Sequence, residues 1–113
     1  MTERRVERRP APTRDPSGVV NDLDQAFAEV AALRALDGSE ERRHDESRVY
    51  DASIRWGALV AGRLHRLALL HHRGAMSNDQ RSRYTELEVE LAELSPVLDR
   101  LGLPDPRAGR RRT

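Results

Sequence analysis

The sequence predicts a small all-α protein. Apolar residues recur at helical spacing over three segments, Gly and Pro separate these segments, and no segment reads as a strand. We expect an antiparallel hairpin of the second and third helices with an additional N-terminal helix. These helices would form a three-helix bundle or part of an oligomeric helical assembly.

The two ends of the chain are predicted to be disordered basic tails. Residues 1–16 are rich in Arg, Glu and Pro, and residues 102–113 begin with a Gly- and Pro-containing stretch and end in arginines. Neither end has enough apolar side chains to offset the entropy lost on ordering. The helical domain, expected over residues 17–101, carries net negative charge between these two positive ends.

The first helix is predicted over residues 19–37. Its apolar residues follow steps of three and four: Val20, Leu23, Phe27, Val30 and Leu33. The polar stretch that follows, residues 39–48, fits either a solvated linker or an exposed start of the second helix. A short linker is the favoured interpretation.

The second helix is predicted over residues 45–73 and has apolar residues on more than one side. The side with larger residues contains Val49, Ala52, Trp56, Leu59, Val60, Leu64, Leu67 and Leu70. A second side contains Ile54, Ala58, Ala61, Gly62 and Leu69. Such a helix is expected to lie between packing partners. Trp56 is expected to anchor the core; if exposed, it would instead mark a partner surface.

The third helix is predicted over residues 78–101, with a break at Pro96. It opens with a capping-box pattern, Ser77-Asn-Asp-Gln80. It then carries a heptad seam formed by Tyr84, Leu87, Leu91, Leu94, Leu98 and Leu101. Because the second helix must also contact the first, we expect part of this seam to stay uncovered and to bind a partner. A second copy of the chain, giving a homodimer, or another protein would fill that role.

The residues provide no site for chemistry, and we expect no catalytic, cofactor-binding or metal-binding residue. His65, His71 and His72 are spaced too widely on a helix to chelate a metal jointly, and Arg66 and Arg73 lie beside them. Cys is absent, and no Gly-rich phosphate loop or nucleophile elbow occurs. The chain is therefore predicted not to be an enzyme.

The same composition predicts a cytoplasmic protein without a membrane helix. The most apolar stretch, residues 54–70, is interrupted by three arginines and one histidine, whereas a bilayer span needs about 20 nearly uncharged residues. No apolar export signal follows the charged N-terminus, and no cysteine is available for disulfides.

The sequence is compatible with two functions. The favoured one is a non-catalytic helical protein-interaction module, such as a small subunit, adaptor or regulator of a larger complex. The alternative is a nucleic-acid-associated accessory protein that contacts the phosphate backbone through its tails. The residues available for that contact are Arg4, Arg5, Arg8, Arg9, Arg110, Arg111 and Arg112.

Overall fold

The computed structural model describes residues 18–106, which form helices and turns without a strand. The prediction of an all-α protein is thus confirmed. The elements are α1 (Val19–Leu36), α2 (Glu40–Arg43), α3 (Glu46–Leu59), a π-helical turn (Val60–Leu64), α4 (His65–His72), α5 (Asn78–Glu93) and α6 (Ser95–Leu101).

The helix α1 follows Gly18, whose backbone is left-handed with φ of 74°. The polar stretch after α1, favoured above as a linker, contains the short helix α2. Ser39 caps α2 by accepting a hydrogen bond from the backbone N–H of Arg42 at 3.1 Å. α2 is separate from α3 because each helix has its own N-cap residue, Ser39 for α2 and Asp45 for α3. The Asp45 side chain accepts a hydrogen bond from the backbone N–H of Arg48 at 3.2 Å.

Residues 46–72, called the middle helix below, run through α3, the π turn and α4 without a stop. The π turn inserts about one extra residue into the helix, which rotates the following residues relative to the preceding ones. After Gly74, with φ of 70°, a short link reverses the chain into α5. The capping box of Ser77 and Gln80 is confirmed, with both reciprocal hydrogen bonds formed at 3.2 and 2.9 Å.

The predicted break near Pro96 separates α5 from α6. Pro96 occupies the first turn of α6, where its missing N–H costs no helical hydrogen bond. The Ser95 hydroxyl does not cap this helix; it donates to the Asp105 carboxylate at 2.8 Å. α6 then ends at Gly102, whose φ is 72°.

The first helix, rather than the second, is the central element. α1 contacts the middle helix along its length and also contacts α5. Its buried apolar residues are Val19, Leu23, Ala26, Val30, Leu33 and Leu36. The middle helix therefore has one side against α1 and the opposite side facing outward.

The packed body extends beyond the boundary expected at Leu101. Leu103 is buried, and the carbonyl of Pro104 accepts a hydrogen bond from the Trp56 indole N–H at 2.7 Å. Residues 102–106, assigned above to the C-terminal tail, therefore belong to the folded part. Trp56 itself is fully buried, as expected of a core anchor, and its polar edge requires this carbonyl as an acceptor.

Candidate partner-binding surface

All six residues of the heptad seam lie inside the chain's own core. Each of them, Tyr84, Leu87, Leu91, Leu94, Leu98 and Leu101, is less than 9% exposed. The expectation of an incompletely covered seam failed because α1 packs against α5 as well as against the middle helix. The chain itself thus covers nearly all of this row, and the large exposed apolar side chains lie elsewhere.

The arginines proposed to contact nucleic acid, Arg4, Arg5, Arg8, Arg9, Arg110, Arg111 and Arg112, lie outside residues 18–106. Their contact with phosphate stays a prediction. Within residues 18–106, most arginines are held by carboxylates of the fold: Arg34, Arg43, Arg48, Arg55, Arg63, Arg66, Arg83 and Arg100. The described body thus uses its arginines mainly to join its own helices.

The most buried charged group is Asp22, which is 2% exposed on the inner side of α1. Arg63 donates to Asp22 Oδ1 at 2.8 Å from the π turn. Arg66, in the next turn, donates to both carboxylate oxygens at 3.0 and 2.9 Å. The three side chains hold α1 against the middle helix at and just after the π turn.

The surroundings of Asp22 keep it ionised. Burial on its own would raise the pKa of the Asp22 carboxyl, but hydrogen bonds from Arg66 and Arg63 and their positive charges outweigh it and lower the pKa below 3.8. A carboxyl of this kind is a poor general acid at neutral pH. We therefore assign the cluster a structural role. Asp22 was not singled out from the sequence, although its spacing from Val19 and Leu23 places it on the apolar side of α1.

A second carboxylate, Asp37, joins the other end of α1 to α6. Arg100 donates to its two oxygens at 2.9 and 2.6 Å, and Arg43 donates to its backbone carbonyl at 2.7 Å. The hydrogen bond from Arg100 lowers the pKa of Asp37 against the opposing effect of burial. Both ends of α1 are thus held by paired arginines.

The histidines of α4 do not come together. His65 and His72 are exposed, whereas the His71 ring lies 4.7 Å from the Tyr84 ring, centroid to centroid. In residues 18–106 no group of three His, Asp or Glu side chains is arranged to hold a metal ion.

The outward side of the middle helix carries an exposed row of residues with steps of four, four, three, four and four. The row, called the outer row below, consists of Tyr50, Ile54, Ala58, Ala61, His65 and Leu69. Tyr50 is 66% exposed, Ile54 57% and Leu69 40%, so three of the large apolar side chains left in solvent belong to one helix face. Most of this row belongs to the second apolar side predicted from the sequence, which was expected to be covered by a packing partner.

Two glycines beside the outer row have no packing role among residues 18–106. A Cβ built at Gly57 or at Gly62 would meet no atom within 4 Å apart from the helix's own neighbouring backbone. Each lies inside the middle helix, where Gly costs about 1 kcal/mol relative to Ala. Gly is favoured where another backbone approaches closely, and no such approach is made from within residues 18–106.

A groove of about 450 Å³ adjoins the N-terminal end of the outer row. Its lining combines apolar and polar residues: Val49, Tyr50, Leu101 and Leu103 with Arg43, His44, Glu46, Ser53 and Gly102. Residues 101–104 approach the middle helix at Trp56, whose indole N–H donates to the Pro104 carbonyl. The groove provides a recess with a partly apolar lining next to the exposed Tyr50 ring.

Comparison of the chain with models of known protein families, with curated proteins and with solved structures found no match. Among the helices of residues 18–106, none combines the length and the apolar character required to cross a membrane. The function is therefore inferred from the geometry alone.

Proposed function

We propose that this chain is a non-catalytic protein-interaction module that presents the outer row to a protein partner. The observation that carries the proposal is the exposure of Tyr50, Ile54 and Leu69 on one face of a helix whose opposite face is core. Scattered exposed apolar residues are ordinary on protein surfaces, but a contiguous apolar face is typical of a binding site. An amphipathic helix of the partner would suit this face, because helix pairs interlock through rows spaced in this way.

The small residues of the outer row support the same function. Ala58 and Ala61 lie between the larger apolar groups, with Gly57 next to them. A helix approaching this part of the surface would reach the backbone of the middle helix closely. The large groups on either side would then define its position along the row.

The proposal is tested by the size of the native complex. In extracts of the host organism, the wild-type protein should elute from a sizing column well above its monomer mass. Tyr50→Arg/Ile54→Arg, which introduces two charges into the face, should elute as a monomer. Ala28→Arg is the matched control, because Ala28 is an exposed position on α1 away from the outer row.

Circular dichroism of the purified variants should show unchanged helicity, since Tyr50 and Ile54 are exposed. A double variant that still elutes with the wild-type complex would refute the proposal. So would a wild-type protein that is monomeric both in the extract and, after purification, at millimolar concentration.

A further inference from the structure

We propose, building on the function proposed above, that the occupant of the outer row is a second copy of this chain. The two middle helices would pack antiparallel, with a two-fold axis passing beside the peptide bond between Leu59 and Val60. A two-fold interface requires a surface that is complementary to itself, and the outer row has this property about that point.

The symmetry appears in the order of the residues. Positions equally distant from the Leu59–Val60 bond face each other in such a pair. They match Ala58 with Ala61, Gly57 with Gly62, Ile54 with His65, and Tyr50 with Leu69. Small residues thus meet small residues at the centre, and larger groups meet toward both ends.

The small centre allows the two backbones to come close. Gly57 and Gly62 leave open space that no side chain of the described residues fills. With Ala58 and Ala61 beside them, the helix axes can approach to about 8 Å, the short end of the usual range. The interface would account for two glycines that packing among the described residues does not require.

The charges at the two ends of the middle helix favour the antiparallel orientation. Glu46 lies in the first turn, and Arg73 follows the last turn at the symmetric position. Within residues 18–106, neither side chain takes part in an ion pair. Antiparallel packing sets Glu46 of one copy near Arg73 of the other, whereas parallel packing would set like charges together. The helix dipoles favour the same orientation.

The groove beside Tyr50 gives the pair a further contact. In the antiparallel arrangement, Leu69 of the second copy lies next to Tyr50 and faces the part of the groove that Val49 and Leu103 line. Leu69 is itself 40% exposed in the single chain. Insertion of this side chain would bury both apolar groups, and the two-fold axis would repeat the contact at the other end.

The size of the interface indicates a weak dimer. The outer row spans 20 residues, about 30 Å at 1.5 Å per residue, on a helix about 10 Å wide. This footprint is well below the roughly 800 Å² per partner of a standard stable complex. We therefore expect association that depends on concentration rather than a permanent dimer.

Sedimentation of the purified full chain tests this inference. From micromolar to millimolar protein, the weight-average mass of the wild type should rise from monomer toward dimer. Gly57→Leu should raise the dissociation constant more than about tenfold, because a leucine at the centre separates the helices along the whole row. The open space at Gly57 means that the variant should still fold. Ala28→Leu, which adds the same kind of side chain to the exposed side of α1, should behave as the wild type.

A charge exchange tests the orientation. Glu46→Arg and Arg73→Glu should each weaken self-association, and an equimolar mixture of the two variants should associate more strongly than either alone. A wild type that stays monomeric at millimolar concentration, or a Gly57→Leu variant that dimerises as well as the wild type, would overturn the inference. If the purified chain is monomeric but the host extract contains a larger complex that depends on Tyr50 and Ile54, only self-pairing fails. If neither is observed, the proposed function fails as well.

Discussion

The two faces of the middle helix both carry apolar residues, but in opposite environments. On the inner face, Trp56 is fully buried and its indole N–H is hydrogen-bonded. On the outer face, Ile54 is 57% exposed although it lies only two positions earlier. The difference teaches that helical periodicity identifies apolar faces, while the number of neighbouring helices decides how many of those faces are covered. Residues 18–106 contain one more apolar helix face than the helices of this part of the chain cover.

The largest difference between the faces should appear on truncation of one aromatic residue from each. Trp56→Ala should destabilise the fold by about 3–5 kcal/mol, because it removes a large buried side chain. Tyr50→Ala should change the stability of the monomer by no more than about 0.5 kcal/mol, as is usual for exposed positions. Urea denaturation at low protein concentration measures both. Similar losses for the two variants would show that the outer face is part of the core.

A second comparison concerns two acidic residues of α1. Asp22→Ala should cost about 1–3 kcal/mol, because it removes a buried acceptor that Arg63 and Arg66 share. The two arginines are partly exposed and regain water, which limits the loss. Asp24→Ala should cost less than about 1 kcal/mol, since Asp24 is 56% exposed and its bond to Arg83 is a surface ion pair. Thermal denaturation of the two variants gives the difference, and equal losses would contradict the structural role of Asp22.

Replacement of glycine by alanine should have a smaller effect on monomer stability, and the sign of the effect should differ between two positions. Gly57→Ala should stabilise the monomer by about 1 kcal/mol, since Ala is the better helix former and the site is open. Gly74→Ala should instead destabilise it by about 1–2 kcal/mol, because the φ of 70° disfavours a residue with a Cβ. Measurements at low protein concentration keep the monomer separate from any dimer. A destabilised Gly57→Ala monomer would mean that this helix face is packed within the chain.

The smallest expected effect is the dependence of stability on pH. The pKa of Asp22 and that of Asp37 are both lowered in the folded chain, so each carboxylate stabilises the fold above its ordinary pKa of 3.8. That contribution is lost as the pH falls below 3.8 through the folded-state pKa values. Asp22→Asn should flatten the decline in melting temperature below pH 4. An unchanged decline in the Asp22 variant would count against the buried ion pairs.

The elements that the sequence predicted well depend on local signals. Ser77 and Gln80 form their capping box within four residues, and Pro96 marks the start of α6 through its own backbone chemistry. Trp56 was correctly expected in the core because of its position on the larger apolar side.

The features that the sequence did not reveal depend on contacts between distant segments. The heptad seam is covered because α1 packs against it. The sequence pattern of α5 contains no information about the position of α1. Leu103 and Pro104 follow a helix-ending glycine and resemble a tail, yet Trp56 needs a carbonyl acceptor that this segment supplies. The π turn at residues 60–64 has no distinctive composition, so its effect on Arg63 and Arg66 was not foreseen.

Site-specific photo-crosslinking in living cells of the host tests most directly whether the outer row binds a protein. A photoreactive side chain would replace Tyr50, Ile54, Ala58 or Ala61 in turn, with exposed Ala28 and Ala31 on α1 as controls. The account predicts protein adducts at the four outer-row positions and none at the two controls. Adducts at α1 that equal those of the outer row, or no adduct at any outer-row position, would contradict it.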